Sequence, residues 1–410
     1  METNHLVTSK KNNNNISIIY YQNQLEELIK SQKYIKITLF FLIFLNLILF
    51  FIIIINKRDI NKQIKQIISD TFLEISNTIY EQHKSEKNSE IKDFLLNNNT
   101  IQNTINDKNN DNDQIQKIME SYINQQKDFC ENSEKYLNKD LEKEITLATV
   151  ELNKMKYQMY VYKKNDEMSN NILNYPSFEL NQINNILNAL NFYSKKNNIL
   201  NNNDIYIIDI GGNIGYYDIF FGKLGFSIIS FEPFEQNYYI YKKNYCQFNK
   251  NSSLIIINKG IYNEEKTCNY YSKNNNIGGG MILCHETKNQ TIKNDYKKRG
   301  EVQVVKLSSF IPYLLNKHLA MMKIDTQGAE EIVIESGIEL IIKYHIPYIY
   351  LNFNPLLLKE HGTNPVQFLL KLINNGYKIY LEDFFSKRPS SINEIMKSLR
   401  NNIILYLVYE

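Results

Sequence analysis

Glycine and proline are missing from the first 175 residues of this 410-residue chain; Pro176 and Gly211 are the first of each. Both residue types punctuate tight turns. Their absence predicts rods and linkers in the N-terminal part, and a globular domain that begins near residue 155. Cysteine is scarce, with four residues at positions 130, 246, 268 and 284. No C-x-x-C pair exists, which excludes a structural zinc site of ordinary spacing. Tryptophan is absent. Histidine is rare, and His285, His318, His345 and His361 lack metal-ligand spacing. His361, in the turn Glu360-His361-Gly362, is the one histidine placed to be tested as a base. The net charge is only +3, without the basic stripe of a nucleic-acid binder. A hydrophobic fraction of 43% excludes disorder throughout and predicts a packed core. Asn and Ile are over-used along the whole chain, which reads as a compositional bias rather than a functional choice.

Ile37 to Ile55, ITLFFLIFLNLILFFIIII, is the longest apolar run and carries no charge. As a helix it reaches about 28 Å, enough to cross a hydrocarbon core. It exceeds a cleavable h-region and runs directly into Asn56-Lys57-Arg58, so it reads as an uncleaved membrane anchor. Lysines stand on both sides of it (Lys30, Lys33 and Lys36 before; Lys57, Arg58, Lys62 and Lys65 after), so the positive-inside rule leaves the orientation open. One anchor near the N-terminus followed by a spacer and a domain is the layout of a single-pass Golgi or ER enzyme. Sequons at Asn98, Asn251 and Asn289 suit a luminal domain.

Between the anchor and the domain, Ile60, Ile64, Ile67, Thr71, Ile75 and Ile79 recur at helical spacing, as do Ile115, Ile118, Tyr122, Gln125 and Phe129. Asn-rich breaks at 97–99 and 106–113 interrupt the pattern. Two readings stay open: a short coiled coil that pairs subunits, with Cys130 able to bridge two stalks, and a solvated helical spacer. The expected division is therefore a polar tail over 1–36, a transmembrane helix over 37–55, a helical, Asn-rich stalk over 56–154 and the domain over 155–410.

Within the domain, Ile205–Gly215 reads IYIIDIGGNIG. A continuous apolar run ending in Asp and a glycine turn, followed by a helical segment, predicts a buried parallel strand opening onto a ligand-binding loop. Asn213 and Tyr216 stand where a dinucleotide fingerprint needs glycine. A second apolar strand, Phe226–Phe231, is capped by Glu232 about 20 residues after the loop, the place where an acid holds ribose hydroxyls. A glycine loop and a ribose acid without a pyrophosphate cradle describe an adenosyl cofactor lacking phosphates, and S-adenosylmethionine fits that description better than NAD. A third block, MMKIDTQGAE (Met321–Glu330), predicts a strand ending at Asp325. Asp209, Glu232 and Asp325 then share the carboxyl edge of one sheet, where ligands of open α/β folds gather. A carboxylate there can orient a hydroxyl or take its proton; capping of the next helix is the plainer role for Asp325.

DIGGNIG, SFEPF (Ser230–Phe234) and MKIDTQGAE, in this order and spacing, resemble the signature blocks of FkbM-type S-adenosylmethionine-dependent methyltransferases. Met159–Leu173 is similar to the lead-in of eukaryotic members, and the likeness covers about residues 155–385. The resemblance implies an α/β fold, a Rossmann-like seven-stranded sheet, and O-methylation of a sugar or similar hydroxyl. It implies that Asp209, Gly211, Asn213 and Gly215 line the methionine end of the cofactor and that Glu232 holds the ribose. Asp325 and Glu330 belong, by the same likeness, to the block beside the acceptor. Gln327, Ser308 and Asn352 depart from the acids common in the family, which puts the substrate side in question.

The remaining strands are expected at Leu254–Ile257, Tyr348–Leu351, Tyr377–Leu381 and Ile403–Tyr409, the last antiparallel. Ser272–Gly300, with Gly278–Gly280 and the bases Lys288, Lys293, Lys297, Lys298 and Arg299, is expected to be a loop: a lid over the acceptor or a solvated basic segment. The expected partners are a small-molecule or glycan acceptor, the membrane, and a second copy through the stalk. Two rival readings remain, a tethered scaffold with an inactive domain and an NAD-linked oxidoreductase.

Overall fold

The computed structural model describes residues 99–410 apart from 249–252, 285–294, 315–316, 398–401 and 410. The apolar run 37–55, the Ile60–Ile79 stripe, the three sequons, His285, Lys288 and Lys293 lie outside the described residues. Among the described residues no helix is long and apolar enough to cross a membrane.

Among the described residues thirteen strands follow one another: β1 Ile145–Leu152, β2 Met155–Tyr162, β3 Ile205–Ile210, β4 Ser227–Phe231, β5 Leu254–Ile257, β6 Gly260–Ile261, β7 Lys266–Lys273, β8 Asn276–Leu283, β9 Tyr296–Val305, β10 His318–Ile324, β11 Tyr348–Phe353, β12 Tyr377–Tyr380 and β13 Ile403–Tyr409. Seven of them form the main sheet in the order β12-β13-β11-β10-β3-β4-β5. The five strands from β11 to β5 run parallel, and β13 is antiparallel to both its neighbours. Continuous Ile-rich runs suit this place because both faces are covered. Alternation then divides each strand: Ile207 joins one buried layer, Ile208 and Ile210 the other. The expected α/β sheet and its antiparallel final strand are present.

The helices that matter for the site are α1 Asn99–Glu131, α2 Lys139–Glu144, α3 Glu167–Asn174, α4 Leu180–Lys196, α5 Tyr216–Lys223 and α6 Glu235–Phe248. One hairpin and one helix, α1, differ from the expected stalk. The boundary at 154/155 falls inside a hairpin, because β1 and β2 pair from Ile145↔Tyr162 to Leu152↔Met155. Its two-residue turn is Asn153-Lys154, at φ 47° and 69°, the left-handed pair that a tight hairpin demands. Asn tolerates that conformation, so a chain rich in Asn can turn tightly without glycine. Val150, Leu152, Met159 and Val161 are fully buried in the layer that also holds α4 and α5.

The apolar stripe of α1 is likewise spent inside the chain. Ile115, Met119 and Phe129 are buried, while the expected Ile118 is 40% exposed. Gln126 is buried between them, its side chain donating to the Leu254 carbonyl at 2.9 Å and accepting from the Ile256 N–H at 3.1 Å. It thus satisfies the backbone of edge strand β5, a position otherwise open to pairing with another chain. Cys130 is bonded to Cys246 of α6 rather than to a second stalk.

The described part of the segment expected as a loop over Ser272–Gly300 is mostly strand. β7, β8 and β9 form a second sheet with β6, in the order β6-β9-β7-β8. A Cys268–Cys284 disulfide closes it, and Phe234 stacks on Tyr270 at 4.5 Å between ring centroids. Arg299, expected to be a lid base, donates to Ser272 Oγ at 3.0 Å and to the Lys273 carbonyl at 2.9 Å, so its charge braces this sheet.

Candidate active site

β3 ends in a loop whose shape follows from its glycines. Gly211 is left-handed at φ 98°, and a Cβ there would run into the Asp325 carbonyl oxygen. Only glycine meets both conditions, and the close approach brings the β3 and β10 loops together. Asn213 follows at φ 51°. Its N–H donates to Glu232 Oε2 at 2.7 Å, tying the loop to the end of β4. The other Glu232 oxygen accepts from the Phe234 N–H at 2.9 Å and from Asn237 Nδ2 at 3.3 Å. Burial pushes the Glu232 carboxyl up to about 8 despite these donors. The Asn213 side-chain oxygen is buried and has no hydrogen-bond partner among the described residues.

The β10 loop is built around two carboxylates with different tasks. Asp325 Oδ1 accepts from Gln327 Nε2 at 3.0 Å and from Asn352 Nδ2 at 2.8 Å. Glu330, buried and pushed up to about 7 by desolvation, accepts from the Thr326 N–H at 3.1 Å and from the Gly328 N–H at 3.0 Å. These bonds hold Gln327 and Gly328, both left-handed at φ 55° and 112°. Glu330 is therefore the brace of the loop.

An open cleft of about 970 Å³, its solvent-open mouth included, runs between these loops. Of the residues singled out from the sequence, Gly211, Asn213, Glu232 and Asp325 line it, and Asp209, Gly215 and Glu330 do not. Asp209 is buried behind the lining and pairs with Lys323 Nζ at 2.8 Å. Burial opposes the ammonium charge, but Asp209 and Asp325 outweigh it and hold the Lys323 pKa above its ordinary value. Lys323 in turn donates to the Gly211 carbonyl at 3.2 Å and reaches the cleft. Gly215 sits at the start of α5 at φ 85°, against the Tyr241 ring. His361 packs on Gly328 outside the lining. Burial lowers it to about 4, and its place off the cleft keeps it from an acceptor bound there. Ser308 lies in the turn Leu307–Phe310, also away from the cleft.

The cleft contains residues that the sequence did not mark, beside the Gly278–Gly280 run already noted in the expected loop. Glu179, Tyr217, Tyr350 and Lys323 surround Asp325, and Gly278–Gly280 of β8 line it with Tyr270 and Met168. Lys323 had a readable signal, since it lies two residues before Asp325, near the end of β10. Gly278 admits the side chains that pin it: Asn237 Nδ2 donates to its carbonyl at 2.9 Å and its N–H donates to Asp166 Oδ1 at 3.0 Å.

Residues 209–379 match the family model described as methyltransferase FkbM domain. The chain carries an FkbM methyltransferase domain. No curated protein matches the sequence. Among solved structures, it is similar to WbdD, with 9% identity over 56% of this chain and 40% of that one, at a TM-score of 0.30. It is also similar to magnesium protoporphyrin IX methyltransferase from Synechocystis PCC 6803 with bound SAM, with 11% identity over 57% of this chain and 82% of that one, at a TM-score of 0.29. A third is precorrin-6y C5,15-methyltransferase from Geobacter metallireducens GS-15, with 12% identity, 54% and 87% coverage and a TM-score of 0.28. Likenesses of this size carry no argument about substrate.

Proposed function

We propose that the FkbM domain is an S-adenosylmethionine-dependent O-methyltransferase acting on a hydroxyl of a sugar or glycan, held at a membrane by the 37–55 segment. The observation that carries the cofactor is Glu232, a buried acid at the end of β4 whose oxygen accepts the backbone N–H of the glycine loop. Such an acid suits the paired hydroxyls of a ribose. The unpartnered oxygen of Asn213 beside it offers a further acceptor, and the closeness of Gly211 and Asp325 leaves no side chain between the two loops. The residues present fit the group. Gly211, Asn213 and Glu232 would hold it, and it supplies an activated methyl group when bound. The chain's own part is to orient an acceptor hydroxyl at Asp325, to exclude water beneath β8, and to accept a proton.

Two disulfides use all four cysteines, and such bonds persist in oxidising compartments. That supports a luminal domain, which meets glycans. Protease treatment of sealed vesicles tests it: digestion of the domain without detergent would end the luminal reading.

Calorimetric titration of the detergent-solubilised full chain with S-adenosylmethionine, S-adenosylhomocysteine and NAD tests the cofactor. Micromolar binding of both adenosyl ligands, weakened at least about 100-fold in Glu232→Ala, is expected. Binding of NAD alone would replace this reading with an oxidoreductase, and no binding by folded protein would favour a scaffold.

A further inference from the structure

Glu179 stands in the residue before α4, outside the 209–379 family match, and three observations set it apart. Its backbone is left-handed, at φ 51° and ψ 27°; for a Glu this costs on the order of 1 kcal/mol or more and persists only where the surroundings impose it. An acid at a helix start ordinarily turns back to cap the free N–H groups, but the Glu179 side chain makes no cap hydrogen bond. It turns instead into the cleft that holds Asp325 and Lys323.

There it ends a buried chain of hydroxyls. Tyr217 OH donates to Glu179 Oε2 at 2.7 Å, and the Tyr350 hydroxyl lies 3.2 Å from that of Tyr217. Tyr217 and Tyr350 are buried, so this chain holds one carboxylate oxygen in place. No hydrogen bond to the other oxygen is formed among the described residues. Asp325 is committed differently, with two amide donors on one oxygen that fix its orientation. Burial raises the Glu179 carboxyl, the Tyr217 bond works against this, and the nearby Asp325 adds to the rise. A carboxylate raised in this way is better matched to accept a proton near neutral pH.

We infer that Glu179 is the proton acceptor for a sugar-hydroxyl acceptor bound in this cleft, with Asp325 as the group that orients the hydroxyl. The inference rests on the methyltransferase reading above. In the step, the acceptor oxygen forms a bond to the methyl carbon as the carbon–sulfur bond breaks. That electron pair returns to sulfur, and the hydroxyl proton passes to Glu179. Glu179 then releases it to solvent through the cleft.

The test uses the full chain in detergent micelles, methyl-labelled S-adenosylmethionine, and the methyl α-glycosides of glucose, galactose, mannose and fucose as acceptor probes. S-adenosylhomocysteine affinity is measured alongside by calorimetry. Glu179→Gln is expected to lower kcat about 100-fold or more, with KM and the S-adenosylhomocysteine Kd within about threefold. It should also abolish the acid limb of the pH–kcat profile, and Glu179→Asp should restore part of the rate. A kcat within threefold of wild type would overturn the inference. So would a tenfold loss of S-adenosylhomocysteine affinity, which would make Glu179 a cofactor ligand. Wild-type protein that binds S-adenosylhomocysteine but methylates none of the four glycosides would also overturn it and leave the cofactor assignment standing. Wild-type protein that binds no adenosyl ligand would bring down the methyltransferase reading itself.

Discussion

Asn352 and Gln327 carry amides where the resembling family commonly carries acids, and both donate to the same oxygen of Asp325. An acid at 352 would put two carboxylates within hydrogen-bond reach, and like charges so close resist joint ionisation. Asn352→Asp should therefore lower Tm by several degrees at pH 8 and by little at pH 4, where the new acid is protonated; thermal scans across pH check this. These two departures from the family pattern thus form one arrangement around Asp325, while Ser308 lies apart from it.

Glu232 makes a second residue-level prediction. Its folded pKa, about 8, lies above its ordinary 4.5, so the folded state holds a proton that the unfolded state has released over that interval. Its contribution to stability is full below about pH 4.5 and is lost as pH rises through about 8. Wild-type Tm should fall from pH 5 to pH 9, and Glu232→Gln should flatten that fall. Hydroxyl donors favour the charged form, so adenosyl ligands should expel a proton on binding near pH 7. Calorimetry in buffers of different ionisation enthalpy reads that proton directly. Glu232 was legible because its chemistry requires an acid at a set distance from a glycine loop. Glu179 was not, because only the fold brings residue 179 to residue 325. Asp209 was legible as an edge acid, but its orientation toward Lys323 is a matter of packing between β3 and β10.

At the scale of elements, helical period revealed the apolar face of α1 but not what covers it. The pattern is the same for a coiled coil and for a helix lying on a sheet, and here the covering partners are strands of the same chain, with Gln126 serving β5. The missing glycines misled for a specific reason, since Asn153-Lys154 makes the turn. A fragment starting at residue 155 removes β1, the partner of every residue of β2. It also exposes the layer that Val150 and Leu152 cover. Such a fragment should be expressed insoluble or melt far below one starting at residue 113, a comparison made by light scattering and thermal denaturation. Intact folding of the shorter fragment would show that the hairpin is dispensable.

For the whole molecule, the sheet was readable because its strands are mainly apolar runs bounded by turn residues. The second sheet was not, because β8 contains three consecutive glycines and β9 begins with Tyr296-Lys297-Lys298-Arg299, neither of which reads as a strand. The place of β13 has a consequence for biosynthesis. It is the last described strand to leave the ribosome, yet it lies between β11 and β12. Until residues 403–409 emerge, β11 offers an open edge that is apolar except for Asn352, the kind that recruits strands from other chains. The nascent protein therefore depends on its final segment, and on whatever shields that edge meanwhile, to reach the native sheet rather than a neighbouring chain.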